Sequence, residues 1–162
     1  MKIGNFDLNK DGVYIIAELS ANHNGSLQTA LDTIKAAKEI GANAIKLQTY
    51  RADTITLNSK NPDFMIDGGT LWDGKNLYEL YEQAYTPWEW HKELFDYARS
   101  IDIDIFSTPF DKSAVDFLEQ FNPSAYKIAS FEITDYELVR YVASKQKPII
   151  TSTGIATIDE IQ

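Results

Sequence analysis

The chain has 162 residues, 44% of them hydrophobic and 12% aromatic, enough for one core that removes roughly 70% of the unfolded surface from water. Fifteen Lys and Arg stand against 24 Asp and Glu, a formal charge of −9. That balance excludes nucleic acid and anionic membranes as partners, because either would need a concentrated basic stripe that the sequence lacks. Cysteine is absent, which excludes disulfides and thiolate metal sites. With no apolar run suited to a signal peptide or a membrane span, a cytoplasmic location is expected.

In chain order, the residues from Ile3 to Phe6 and around Val13, turned by Asn9-Lys10-Asp11-Gly12, read either as a hairpin plugging the floor of a barrel or as an untethered tail. Short apolar runs at 14–17, 44–47, 104–107, 125–128 and 148–151 read as strands. Helical spacing separates them. Ser26 caps a segment carrying Leu27, Ala30, Leu31, Ile34 and Ala37 and ending at Gly41. Thr86-Pro87-Trp88-Glu89 predicts an N-cap threonine, proline at the first helical position and a capping box, ahead of Leu94, Phe95, Ala98 and Ile101. Asp111 opens a third helix that Asn122-Pro123 stops, and the residues from Thr134 to Glu137 open a fourth. Strands that are apolar on both faces and alternate with helices predict a parallel α/β architecture, either a barrel or a doubly wound sheet.

Two segments depart from this rhythm. Residues 50–76 form a long stretch without periodicity, rich in Asn, Gly and Pro, and a loop of that length inside a compact domain is more often functional than idle. Thr157-Ile158-Asp159-Glu160 is a capping box whose helix has no body before Gln162. The expectation is therefore the N-terminal portion of a longer fold, with a strand edge near Ile149 open to self-association.

In β/α barrels chemistry collects where strands end. Here those ends carry Glu18; Lys46 with Gln48; Ser107 and Thr108; Lys127 followed by Ser130 and Glu132; and Ser152, Thr153 and Gly154. Lys46 and Gln48, two apart in a strand, share a face. Each lysine interrupts an apolar run, so it either reaches solvent or meets an anion such as phosphate. The hydroxyls are either turn and cap residues or phosphate donors, and the amides around Gly154 could form an anion nest. Glu18 is either a salt-bridge partner of Lys46 or a ligand for sugar hydroxyls and a general acid/base candidate. His23 lies in a turn-rich loop at the same mouth and is offered as a ligand contact. His91 reads as packing, and Trp72, in the long loop, as core or as a cover for a sugar ring.

As an ordered set, Ile16-Ala17-Glu18-Leu19-Ser20-Ala21-Asn22-His23-Asn24-Gly25, Lys46-Leu47-Gln48-Thr49, Phe106-Ser107-Thr108-Pro109-Phe110, Tyr126-Lys127-Ile128-Ala129-Ser130 and Thr151-Ser152-Thr153-Gly154 resemble the nonulosonic (sialic) acid synthase family. Gly68-Gly69-Thr70-Leu71-Trp72-Asp73, Leu77-Tyr78-Glu79-Leu80-Tyr81 and Thr86-Pro87-Trp88-Glu89-Trp90-His91 are most similar to its pseudaminic acid branch. The resemblance implies an incomplete (β/α)8 TIM-type barrel, with about five strands present and residues 1–162 forming its phosphoenolpyruvate-condensing N-terminal portion. It implies condensation of phosphoenolpyruvate with an open-chain 2,4-diacetamido-trideoxy hexose and water to give pseudaminic acid and phosphate. Sialic or legionaminic acid synthesis remains the alternative within the family, and a non-catalytic phosphate-binding fragment the alternative outside it.

By the same resemblance, Lys46, Lys127, Ser130 and Ser152 match phosphoenolpyruvate-binding positions, with Gln48 and Thr108 alongside. Glu18 matches the acid that contacts the acceptor sugar, and Glu132 a carboxylate near the reacting carbon. The implied cofactor is a divalent metal, Mn or Mg, that polarises the aldehyde. Its two histidine ligands and a small antifreeze-like domain are expected outside this chain, the whole assembling as a homodimer. A piece lacking them is expected to be catalytically silent.

Overall fold

A computed structural model describes residues 1–162. At its start, β1 (Lys2–Ile3) and β2 (Phe6–Asp7) pair antiparallel. The reversal falls at Gly4, with φ of 54°, and not at Asn9 to Gly12 as the sequence suggests. Residues 8–11 make a separate turn in which the amides of Lys10 and Asp11 donate to the Asp7 carbonyl, while the Asp11 carboxylate accepts from the Asp7 amide at 2.7 Å. Val13 is 81% exposed and belongs to no strand. A glycine entering the left-handed region lets the chain turn several residues earlier than the Asn-Gly signal implies.

Five further strands follow: β3 (Ile16–Glu18), β4 (Ala44–Thr49), β5 (Asp104–Pro109), β6 (Tyr126–Ile128) and β7 (Ile149–Thr151). They form one parallel sheet whose spatial order is the chain order. A doubly wound sheet reverses direction at a switch point, whereas this one runs on without reversal, so the chain forms half a barrel.

The helices are α1 (Leu27–Glu39), α2 (Ala52–Ile55), α3 (Leu77–Ala84), α4 (His91–Ser100), α5 (Lys112–Glu119), α6 (Tyr136–Ser144) and α7 (Ile158–Ile161). Strand alternation sorts the core into two bodies. Outward residues Ala17, Ile45, Leu47, Ile105, Tyr126, Ile128 and Ile149 pack with Ala30 and Ile34 of α1, Leu94, Phe95 and Ala98 of α4, Val115 and Leu118 of α5, and Leu138 and Val142 of α6. Inward residues Ile16, Ala44, Phe106 and Ile150, together with Ala125, gather instead around Ile3 of the hairpin. Ile3 is only 2% exposed, so the hairpin plugs the floor and is not a free tail. Tyr14, which donates to the Asp104 carboxylate at 2.6 Å, braces the same end.

Local chemistry explains most helix starts. The side chains of Ser26, Asp111 and Asp135 accept from the amides of Thr29, Ala114 and Leu138, and Thr157 closes a capping box with Glu160. The helix expected at Thr86 begins differently. A 3₁₀ turn, Trp88–Trp90, precedes α4, and the Thr86 hydroxyl is buried without a hydrogen-bond partner. Tight winding places the Pro87 carbonyl within reach of the Trp90 amide, so no threonine cap or capping box forms there.

The long loop is more ordered than its composition suggests. It holds α2 and a 3₁₀ turn, Pro62–Phe64. The Asp73 carboxylate accepts from the amides of Gly68, Gly69 and Thr70 and from the Thr70 hydroxyl. Those bonds hold Asp73 below the usual carboxylate range, the Thr70 amide foremost. At Asn76 a capping box with Glu79 starts α3, a helix the sequence reading did not mark. No helix is long and apolar enough to cross a membrane.

Candidate functional site

Register decides which strand-end residues share the concave face. Glu18 pairs with Lys46, Lys46 with Phe106, Gln48 with Thr108, and Lys127 with Ile150. The inward set is therefore Glu18, Lys46, Gln48, Thr108 and Lys127, with Ser152 one residue beyond β7. Ser107 is the exception among the expected mouth residues. It alternates to the outer face, fully buried, with its Oγ 2.7 Å from Thr49 Oγ1. Two consecutive strand residues cannot both face inward.

Lys46 forms an ion pair with Glu18 and donates to Thr108 Oγ1 at 3.5 Å. The salt bridge left open by the sequence is thus made. The Lys46 side chain is 13% exposed and that of Glu18 42%, so the carboxylate keeps a solvent-facing side. Its other oxygen accepts from the Ser20 hydroxyl at 2.5 Å. Ser20 is a non-glycine residue at φ of 46°. That uncommon conformation turns the hydroxyl back onto Glu18, two residues earlier. Ser20 stands inside the first of the family-matching runs, but local pattern alone gives a loop serine no such role.

Lys127 donates to Ser152 Oγ and to the Ile128 carbonyl, each at 2.5 Å. Burial pushes its ammonium below the usual lysine range and the charge of Lys46 adds to the effect, opposed by Glu18 and Glu132. Lys46 and Lys127 therefore act on one another across β5. Glu132 sits on a 3₁₀ turn, Phe131–Thr134, after β6. Burial raises its carboxyl above the ordinary value, only partly offset by Lys127, and its Oε2 is buried without a partner. Ser130 packs against Gly154, where a Cβ would lie 2.6 Å from the serine Oγ. The loops after β6 and β7 thus touch. Thr153 is exposed.

Neither histidine reaches this face. His23 is 1% exposed, edge-on to Trp90 with centroids 5.3 Å apart, and its Nδ1 accepts from the Gly25 amide. The turn folds the ring under the loop against Trp90, just ahead of α4. Burial holds its imidazole below the usual range. His91 is packed, as expected, and is fully buried. Trp72 is 41% exposed in the long loop, with the Lys75 ammonium 5.3 Å from its ring centroid. No three His, Asp or Glu side chains gather in one place. A cleft of about 450 Å³ lies at the opposite end, lined by Asn5, Tyr14, Lys38, Asn43 and Asp104 among others. It is remote from Lys46 and Lys127, at the other ends of the strands.

The arrangement is suited to an anion. Two ammonium groups and the hydroxyls of Thr108 and Ser152 face one surface, flanked by Glu18 on one side and the protonation-prone Glu132 on the other. Pseudaminic acid synthase of Campylobacter jejuni is 58% identical over 99% of this chain and 46% of its own length. Pseudaminic acid synthase of Helicobacter pylori is 56% identical over 91% of this chain and 43% of its own. The crystal structure of N-acetylneuraminic acid (sialic acid) synthetase from Leptospira borgpetersenii in complex with citrate superposes with a TM-score of 0.81 at 28% identity, covering 99% of this chain and 52% of that one. The chain spans about half the length of the curated relatives it matches. The profile of the NeuB family matches residues 33–162, and the chain belongs to that family.

Proposed function

We propose that this chain supplies the phosphoenolpyruvate-gripping half of a synthase active site. The enzyme condenses phosphoenolpyruvate with an open-chain 2,4-diacetamido-trideoxy hexose (6-deoxy-AltdiNAc type) and water, giving pseudaminic acid and phosphate. One observation carries the reading: Lys46 and Lys127 are drawn from β4 and β6 onto one half-buried surface. Glu18 compensates Lys46, whereas Lys127 has only neutral oxygen partners. A bound phosphate or carboxylate would relieve that repulsion, since each cation about 4 Å away contributes about 4 kcal/mol of gross attraction at an effective dielectric of 20. The choice of sugar is supported by the pseudaminic acid synthases among the relatives.

In the reaction, C3 of phosphoenolpyruvate forms a bond to the aldehyde carbon, whose oxygen takes a proton. Water then adds at C2, the bond from C2 to the phosphate oxygen breaks, and phosphate leaves. Lys46, Lys127, Thr108 and Ser152 orient and neutralise the phosphate and carboxylate. Glu132, whose raised pKa makes it a stronger base than an ordinary carboxylate, takes the proton from the attacking water. Glu18, aimed by Ser20, accepts from a sugar hydroxyl. Phosphate release by the full-length protein with both substrates and Mn or Mg tests the reading. Release that depends on both substrates is expected, and binding of phosphoenolpyruvate without turnover would leave only a phosphate-binding protein.

A further inference from the structure

We propose that His91 is a positioning residue for Gln48 and Thr108, acting through a buried chain of hydroxyls on the outer face of β4 and β5. The proposal rests on the function given above. Gln48 and Thr108 are direct partners in the β4–β5 ladder. Thr49 and Ser107, which follow and precede them, point the other way, toward α4. On that face their neighbours Ile45, Leu47 and Ile105 are apolar, so two buried hydroxyls are costly unless fully bonded.

They are bonded, and the direction of every bond is determined. His91 Nδ1 lies 3.1 Å from the Pro87 carbonyl, which can only accept, so Nδ1 carries the proton. Nε2 must then accept, and it does so from Thr49 Oγ1 at 2.8 Å. The Thr49 oxygen in turn accepts from the Ser107 hydroxyl at 2.7 Å. Phe117 and Phe121 flank the imidazole at centroid distances of 5.1 and 6.3 Å and hold the plane of the ring. From the same turn, Trp88 Nε1 donates to the Tyr50 carbonyl at 3.2 Å. The segment leading into α4 thus grips residue 49 by its side chain and residue 50 by its backbone, where β4 passes into the long loop. Ser107 extends the grip to β5.

Strand geometry converts this outer clamp into an inner effect. Side chains at adjacent positions leave the backbone in opposite directions, so a rotation that frees Thr49 or Ser107 also re-aims Gln48 or Thr108. Displacements of about 1 Å in groups that orient a substrate are costly. The clamp would go unnoticed in the sequence but for one sign: polar residues at 49 and 107 interrupt the outward apolar face.

Three variants of the full-length protein test the proposal: His91→Phe, which fills the space without an acceptor; His91→Gln, which restores an acceptor; and Leu94→Ala, which removes buried apolar contact from the same helix and no hydrogen bond. Phosphoenolpyruvate affinity is read by calorimetry, and the Gln48 side-chain amide by its NMR resonance. His91→Phe is expected to weaken binding about tenfold, the upper end for one lost hydrogen bond, and to shift the Gln48 resonance. His91→Gln is expected to recover most of both. Leu94→Ala is expected to lower Tm while leaving both unchanged. If His91→Phe does not fold, Thr49→Val and Ser107→Ala break the chain one link at a time with the same expectation. An unmoved Gln48 resonance, or an equal effect in Leu94→Ala, overturns the positioning role. A wild-type protein that ignores phosphoenolpyruvate overturns the proposed function instead, since the resonance is measured without ligand.

Discussion

Lys127 donates to Ser152 Oγ at 2.5 Å across the β6–β7 pair, so the cation least compensated by an acid is aimed by a hydroxyl from the neighbouring strand end. Lys127→Ala is expected to weaken phosphoenolpyruvate binding by about 10- to 100-fold, the range of one lost hydrogen bond to a charged group. Ser152→Ala removes only the aiming group and should cost less. Calorimetric titration orders the two, and a larger loss in Ser152→Ala would contradict the arrangement.

Glu18 and Lys46 form an ion pair that leaves one face of the carboxylate open. Glu18→Gln keeps the shape and removes the charge, leaving Lys46 freer to meet an anion. Phosphoenolpyruvate affinity should hold or tighten, while the KM for the sugar rises and kcat falls. Steady-state kinetics with each substrate varied decides, and equal losses for both substrates would reject the division of labour.

Affinity for phosphoenolpyruvate should also depend on pH. Burial and the charge of Lys46 set the Lys127 pKa below the ordinary lysine value of 10.5, so its proton is lost at a lower pH than that of a free lysine. Binding is expected to be strongest below that depressed pKa and to weaken as pH rises through it. A bound anion should move the pKa upward, so binding on the alkaline side takes up a proton. Titration in buffers of different ionisation enthalpy measures that uptake.

His91 links stability to pH with the opposite sense. Burial lowers its pKa from 6.5 to about 4, so below pH 6.5 the unfolded chain binds a proton that the folded chain refuses. Its contribution is complete above about pH 6.5 and is lost as pH falls toward 4, on the order of 2 kcal/mol between about pH 7 and about pH 5. Urea denaturation at the two values should show the loss, and His91→Gln should flatten it.

Gly4 bears on the floor of the sheet. At φ of 54°, an added Cβ would lie 2.3 Å from the Asp104 carboxylate that Tyr14 bonds. Gly4→Ala combines backbone strain of about 1 to 2 kcal/mol with displacement of that carboxylate. A stability loss of at least that size is expected in chemical denaturation, with phosphoenolpyruvate affinity unchanged because Lys46 and Lys127 lie at the other end of the strands.

Local patterns carried much of this protein in the sequence itself. The five apolar runs, the caps at Ser26, Asp111 and Thr157, and the shared face of Lys46 and Gln48 depend on neighbours within a few residues. Structure departs from local pattern where a local signal competes with a distant surface. Asn9 to Gly12 is a good turn sequence, yet the hairpin turns at Gly4, where Ile3 can bury against Ala44, Phe106 and Ala125. Thr86 has the chemistry of a cap, yet its hydroxyl is buried and the helix starts through a 3₁₀ turn.

Sequence alone determined that two lysines, two acids and several hydroxyls stand at successive strand ends, because strand spacing and residue type are properties of short segments. Only the tertiary structure decided that Ser107 faces outward to Thr49 and His91 while Thr108 faces Lys46, that Glu18 pairs with Lys46, and that His23 turns under its loop. Those outcomes follow from the register of β4 against β5 and from the packing of α4 on their outer face, contacts between residues far apart in the chain that no local pattern encodes.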